Sequence, residues 1–309
     1  MSWWDYGHII TYVAHRIPNA NPFQAGIVEN NATDGASRFF LATEESDGYR
    51  NLQNMGSRYV MIDNQMATGK FVPIQKWVSD TQYWYAQIAF NITSGYQVPI
   101  IVDSPKFQSC MLSRLYYDDC NGMSHFRLVY ESPGSYYVST KIADLNSYQQ
   151  GYGYVPFSDR YFIPSENYTE MYDLYINTIS PMPLSQSDMS QFFYDSRPPV
   201  KYVKTYEVVK GATITGTAPA NESVTATVTL GIANRTFNYT QTVKADASGM
   251  FAIVVPYSTD AMQGEGYSSD VSPRSQYTIT CGNSTATVAV PERAVMNGET
   301  VQVSQSLQG

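Results

Sequence analysis

Positive charge is scarce in this chain. Nineteen Lys and Arg stand against 27 Asp and Glu, a formal net charge of −8. Nucleic-acid binding, which needs a basic patch to meet phosphates, is therefore excluded as a reading. Histidine is scarcer still, with three residues. His8 and His15 share one helix face, His125 lies far off in sequence, and no ligand cluster of metal spacing surrounds them. No run of about 18 apolar residues occurs, so no segment reads as a membrane-spanning helix. No signal peptide is read ahead of the first motif, because Asp5 interrupts the apolar run and neither a basic stretch nor a cleavage site accompanies it. G-x-S-x-G, H-E-x-x-H and the P-loop are all missing. Acid pairs such as Glu44–Glu45 and Asp118–Asp119 are chain neighbours and do not face each other on a helix. Three cysteines, Cys110, Cys120 and Cys281, allow one disulfide at most. If "FQSCMLSRLYYDD" is helical, Cys110 and Cys120 lie ~15 Å apart along the axis, beyond the reach of a bridge.

What is present is apolar and aromatic material enough for a core, with 26 tyrosines in 309 residues. That length suggests two or three structural units. Residues 1–133 read as a mixed helix-and-strand core. "YGHIITYVAHRI" has helical periodicity and stops at Pro18, and "GASRFFLATEESDGYRNLQNMG" reads as a further helical stretch closed by Gly56. "RYVMID" is a buried-strand candidate feeding the next helix, "KFQSCMLSRLYYDD" a helix and "HFRLVYES" a strand. Residues 134–199, rich in Tyr, Gly, Ser and Pro and without a clean period, read as an inserted, irregular β-rich subdomain. Residues 200–210 lead back to the core. From 211 to 309, alternating runs such as "SVTATVTLGI" and "RTFNYTQTV", separated by turn residues, predict a peripheral β-sandwich. The fold class expected is α+β, multidomain. Seven N-x-S/T triplets, at Asn31, Asn91, Asn167, Asn221, Asn234, Asn238 and Asn283, fit an extracytoplasmic chain better than a cytosolic one.

Two of the four tryptophans stand together in "WWDYG", followed by an acid. A Ser or Thr hydroxyl offers one donor and two lone pairs. Two indole N–H groups and one carboxylate are the complementary set, so Trp3, Trp4 and Asp5 could saturate one buried hydroxyl. Consecutive side chains converge only where the chain turns, and a helix start supplies a turn. The plainer reading is a core aromatic pair beside an N-terminal helix carboxylate.

A second pattern follows in "DNQMATGKFVPI". Asp63, Met66, Lys70 and Ile74 fall at i, i+3, i+7 and i+11, within a stripe of roughly 80° on one helix. Pro73 lacks an N–H and clashes with the carbonyl of Gly69, which predicts a kink. Taken alone, this stripe reads as an ordinary amphipathic face.

Together the two patterns resemble the C-terminal globular region of the catalytic oligosaccharyltransferase subunit in its archaeal form. The resemblance rests on "WWDYG" and, some sixty residues on, D-x-x-M-x-x-x-K-x-x-x-I. "HRIPNANPFQ", "SRLYYDD", "FRLVYES" and "VKTYEVVKGATITG" add to it, over residues 1 to about 210. It implies an enzyme that transfers a lipid-linked oligosaccharide to Asn in N-x-S/T at the extracytoplasmic face of a membrane. By carry-over Trp3, Trp4 and Asp5 hold the sequon hydroxyl, and Met66, with Ile74 nearby, meets the threonine methyl. Tyr6 and Gly7 are implied to be structural, Gly7 through close backbone approach. Asp63 and Lys70 either shape the kinked helix or pair with each other. The partners implied are an acceptor polypeptide, the lipid-linked donor and the enzyme's own N-terminal transmembrane region. That region is implied to hold the divalent metal, Mn2+ or Mg2+, so no cofactor and no catalysis are expected of these 309 residues alone. An extracellular carbohydrate-binding or surface-layer module is the alternative, favoured by the tyrosine-rich insert and the sandwich.

Overall fold

The computed structural model describes residues 1–29, 33–67, 69–78, 84–91, 97–103, 105–132, 135–136, 160–162, 200–260, 263–264 and 267–307. Most of the tyrosine-rich 134–199 stretch, and with it the sequon at Asn167, lies outside them, as does Asn31.

A 3-10 turn, Trp4–Tyr6, runs straight into helix α1 (Gly7–Ala14). That helix stops at His15, which adopts the left-handed conformation, three residues before Pro18. The stretch expected as one helix up to Gly56 is two, α2 (Ala36–Leu41) and α3 (Glu45–Asn54). The break leaves the Ala42 carbonyl free to accept the Met111 N–H at 2.8 Å. Gly56, at φ +63, ends the region as expected.

Strand β1 (Tyr59–Asp63) feeds α4 (Asn64–Ala67), and α5 (Phe71–Lys76) follows. Next come β2 (Tyr85–Asn91), β3 (Gln97–Asp103), α6 (Pro105–Ser109) and α7 (Met111–Asp118). The single helix expected around Cys110 is therefore interrupted, with Cys110 extended as the residue before α7. All three cysteines are free and buried. Burial pushes the Cys120 thiol far above the ordinary thiol range, against the opposing hydrogen bond from Tyr257.

Strand β4 (Phe126–Glu131), short pairs involving β5 (Ser135–Tyr136), β6 (Arg160–Phe162) and β7 (Val200–Lys201), and then β8 (Val203–Val208) complete the core. β8 lies between β1 and β4 in an antiparallel sheet. The strand that returns from the insertion is thus the middle of the core sheet.

The remaining strands are β9 (Ala212–Thr217), β10 (Ser223–Ile232), β11 (Arg235–Lys244), β12 (Met250–Val255), β13 (Gln263–Gly264), β14 (Tyr267–Ser268), β15 (Val271–Pro273), β16 (Tyr277–Cys281) and β17 (Ser284–Val288). One sheet has the order β11-β10-β16-β17, with β15 also on β10. A second has β12-β9-β18, where β18 (Thr300–Gln302) runs parallel to β9. Buried and open positions alternate along β9 and β10, the period of a sheet with one face on a core. Helix α8 (Glu292–Asn297) and β18 carry no alternation long enough to be read in the sequence.

A ladder of ion pairs joins the two regions. The fully buried Arg127 meets Glu207 at 2.8 Å and Glu292 at 2.7 Å, while Arg235 meets Glu131 and Asp119. A register shift in β4 between Leu128 and Tyr130 frees the Leu128 N–H, which donates to the Tyr257 hydroxyl at 2.8 Å.

Candidate functional site

The amphipathic stripe is not one kinked helix. Asp63 ends β1 and caps α4, its Oδ1 accepting the Met66 N–H at 2.8 Å. Helix α4 ends before Gly69, and α5 restarts at Phe71. Pro73 then falls in the first turn, where its missing N–H has no intrahelical partner to lose. The clash that predicts a kink is relieved by a full break. The Lys70 N–H closes the break on the Gln65 carbonyl at 2.7 Å.

Lys70 turns to the N-terminal motif and not to Asp63. Its Nζ donates to Asp5 Oδ2 at 2.6 Å and to the Tyr6 hydroxyl at 2.7 Å. The Tyr6 hydroxyl in turn donates to Asp63 Oδ2 at 2.5 Å. Burial, followed by the Asp63 carboxylate, raises the Tyr6 phenol well above the ordinary tyrosine range, so it stays a donor. A continuous chain, Asp5–Lys70–Tyr6–Asp63–Met66, thus ties the two motifs together. Tyr6 was read as merely structural from the sequence; its bridging role is invisible there because Tyr6 and Asp63 are 57 positions apart.

The turn at Trp4–Tyr6 fans the motif's side chains from one short segment. The Trp3 and Trp4 rings lie 6.5 Å apart and are tilted by 58°. Trp3 is 2% exposed and belongs to the core, whereas Trp4 is half-buried and Asp5 keeps 32% of its side chain open. Met66 and Ile74 are fully buried. Met66 and Ile74, which the resemblance implies to meet the threonine methyl of an acceptor, thus lie covered in this structure. Met66 packs beneath the motif, its Sδ 3.9 Å from Ser2 Oγ, and Ile74 sits on α5, which packs against α2. Gly7 lies where the chain passes itself. A Cβ there would come within 2.9 Å of Asn21 Cα and Pro22 Cδ.

Polar groups of the motif remain open. Among the described residues neither indole N–H, of Trp3 or Trp4, meets an acceptor, and Asp5 Oδ1 is buried without a hydrogen-bond partner. Beside them α1 presents Ile9, Tyr12 and Val13, and the following loop Ile17 and Phe23, each between 59% and 97% exposed. Among the described residues no three His, Cys, Asp or Glu gather to hold a metal.

Fold and site together define an α+β core domain bearing a mainly β peripheral domain with one short helix, the unpartnered polar groups lying at one N-terminal turn. Residues 1–67 match the AglB core domain, and residues 211–301 match the archaeal glycosylation protein B long peripheral domain. Dolichyl-phosphooligosaccharide-protein glycotransferase 3 of Archaeoglobus fulgidus is 32% identical over 98% of this chain and 37% of its own length. An Archaeoglobus fulgidus AglB structure in complex with an inhibitory peptide and a dolichol-phosphate superposes with a TM-score of 0.68. It is 29% identical, over all of this chain and 38% of that one. A structure of the Archaeoglobus fulgidus oligosaccharyltransferase tethered to an acceptor peptide containing an NVT sequon gives a TM-score of 0.68. There the identity is 30%, over 97% of this chain and 37% of that one. The chain belongs to the archaeal AglB oligosaccharyltransferase family. It spans less than two fifths of the length of these relatives.

Proposed function

We propose that these residues recognise the acceptor sequon within a longer oligosaccharyltransferase, which moves a lipid-linked oligosaccharide onto Asn of N-x-S/T. The observation that carries this reading is the set of open polar groups at the motif: two indole donors and one unpartnered carboxylate oxygen. They are the complement of one hydroxyl. Lys70 holds the other Asp5 oxygen and fixes the carboxylate's direction. Trp4 and Asp5 offer the accessible contact, Trp3 the edge behind them, and Met66 and Ile74 the apolar material beneath. The tethered NVT peptide of the Archaeoglobus relative supports the same class of ligand.

Transfer itself is assigned to the rest of the polypeptide, which supplies the lipid donor site and any divalent metal; these residues bind and orient the acceptor. The exposed apolar side chains of α1 and its loop support docking of this turn against an apolar, membrane-embedded part of the same enzyme. The proposal includes the extracytoplasmic face as the domain's side of the membrane, which the chain's N-x-S/T triplets support.

The test is Asp5→Ala in the full-length enzyme. Glycosylation of an N-x-T peptide is expected to fall about tenfold or more, because buried donors lose their partner, while binding of the lipid-linked donor holds. Undiminished turnover removes the proposed role.

A further inference from the structure

Four of the chain's own sequons lie among residues whose side chains are described: Asn221, Asn234, Asn238 and Asn283. Their surroundings differ in a way the triplets themselves do not. Asn234 is an exposed residue of the two-residue turn between β10 and β11, and its hydroxyl residue Thr236 is exposed on β11. Asn283 holds the same place in the two-residue turn between β16 and β17, with Thr285 exposed on β17. β11 and β17 are the two ends of the β11-β10-β16-β17 order. Each of these sequons therefore starts at a hairpin tip and runs onto an edge strand, whose outer backbone groups have no neighbouring strand among the described residues. No side-chain hydrogen bond holds Asn234, Thr236, Asn283 or Thr285 among the described residues.

The other two are held, Asn238 by side-chain contacts and Asn221, itself exposed, by backbone bonds. Asn238 stands mid-strand, its Oδ1 accepting the Thr229 hydroxyl at 3.0 Å. Its +2 residue Thr240 shares a hydrogen bond with Thr227 at 3.3 Å, and the Thr240 N–H donates to Asn121 at 2.7 Å. Asn221 is held at φ +65, its N–H on the Ala245 carbonyl, with the Ala245 N–H returning to Glu222. Its +2 residue Ser223 starts β10, where it pairs with Lys244 of β11, and the strand is paired on both sides from Thr225.

We infer that Asn234 and Asn283 are N-glycosylation sites of this chain itself, taking an oligosaccharide from a lipid phosphate carrier, and that Asn221 and Asn238 are not. The inference rests on the acceptor-recognition reading above. In the step the anomeric C–O bond to the lipid phosphate breaks and a C–N bond forms to the Asn side-chain nitrogen. The amide gives up one proton to solvent, and the lipid phosphate leaves with the bond's electron pair. An enzyme that must seat three consecutive residues needs a segment it can lift from the surface. A hairpin tip on an edge strand lifts without unpairing a central strand, and a mid-strand sequon held by three side-chain contacts does not.

The test is glycopeptide mapping of the full-length protein isolated from its own cells, alongside an assay of the same preparation on a free N-x-T peptide. Glycan is expected on the Asn234 and Asn283 peptides, with occupancy at Asn221 and Asn238 lower by about tenfold, a factor equivalent to 1.4 kcal/mol. Bare Asn234 and Asn283 in a preparation that glycosylates the free peptide overturn the inference and leave the recognition reading standing. Failure on the free peptide strikes the recognition reading instead. Equal occupancy at all four sites overturns the selection by folded surface. Thr229→Ala with Thr227→Ala and Asn121→Ala, which removes the three side-chain contacts at Asn238 and Thr240, is expected to raise occupancy at Asn238; no rise also overturns it.

Discussion

Lys70 Nζ lies 2.6 Å from Asp5 Oδ2, joining two motifs that are 65 positions apart in the chain. The pair is about a third open, with side-chain exposures of 27% and 32%, so solvent screens it in part. Its importance to the proposed role lies in direction: it occupies Oδ2 and leaves the buried Oδ1 without a partner.

Lys70→Met keeps the length of the side chain and removes the charge. The KM for an N-x-T peptide is expected to rise a few-fold, on the order of 1 kcal/mol, with kcat changed less. Peptide titration of the full-length enzyme reads this, and an unmoved KM counts against Lys70 as a positioning residue.

Tyr6→Phe takes the hydroxyl out from between Asp63 and Lys70 while keeping the ring. Asp63 retains the Met66 N–H, so α4 stays capped. Acceptor affinity is expected to drop by roughly the loss of one buried polar partner, ~1–3 kcal/mol. Circular dichroism should show the helices unchanged; a collapse of helicity would make Tyr6 a folding residue and nothing more.

Met66→Ala hollows the layer beneath the motif. Stability should fall by about 2–5 kcal/mol, as for other buried large-to-small changes, measured as the shift in urea midpoint. The preference for N-x-T over N-x-S peptides is expected to narrow as well. A ratio that stays put assigns Met66 to packing alone.

Arg127→Leu leaves the fully buried Glu207 with Arg58, a side chain that is itself half-exposed. Breaking one side of a buried pair typically destabilises by about 3–5 kcal/mol. Arg127→Leu with Glu207→Leu should recover much of that loss in equilibrium unfolding. If the double variant is as unstable as the single one, the charge pair is not what the single change disturbs.

Asp119 gives a pH dependence. Burial opposes its charged form, but Lys204 and Arg235 outweigh that and hold the carboxyl below its ordinary value. A depressed carboxyl adds stability that is complete above the unfolded value and is lost as pH falls through the folded one. Acid titration of stability should therefore be shallower below about pH 4 in Asp119→Asn. Asn also accepts the left-handed backbone at this position, φ +52. Superimposable acid curves would dismiss the contribution.

Much of the core's element order was legible because apolar periodicity reports burial directly. β1, β4, β8 to β12, β16 and β17 stand where apolar runs and alternation place them. Helix ends were less legible. Cys110 and the Ala42–Glu44 break interrupt stretches with sustained helical periodicity, since periodicity does not register where a carbonyl is claimed by a distant N–H, as Ala42's is by Met111. The site was legible in its chemistry and not in its exposure. Nothing local tells that Trp3, Met66 and Ile74 are covered while Trp4 and Asp5 stay half open.

The sequence by itself determined which groups the two motifs carry: "WWDYG" and "DNQMATGKFVPI" hold the donors, the acids and the proline, and proline's missing N–H dictates that no helix runs unbroken from α4 through position 73. Only the tertiary structure decided the partners. Lys70 has two acids in principle, Asp63 seven residues back and Asp5 in the other motif. The capping bond of Asp63 to Met66, with Tyr6 on its second oxygen, leaves Asp5 as the carboxylate Lys70 reaches. Hydrogen bonds between residues some sixty positions apart depend on how the core brings segments together, and no local pattern encodes that.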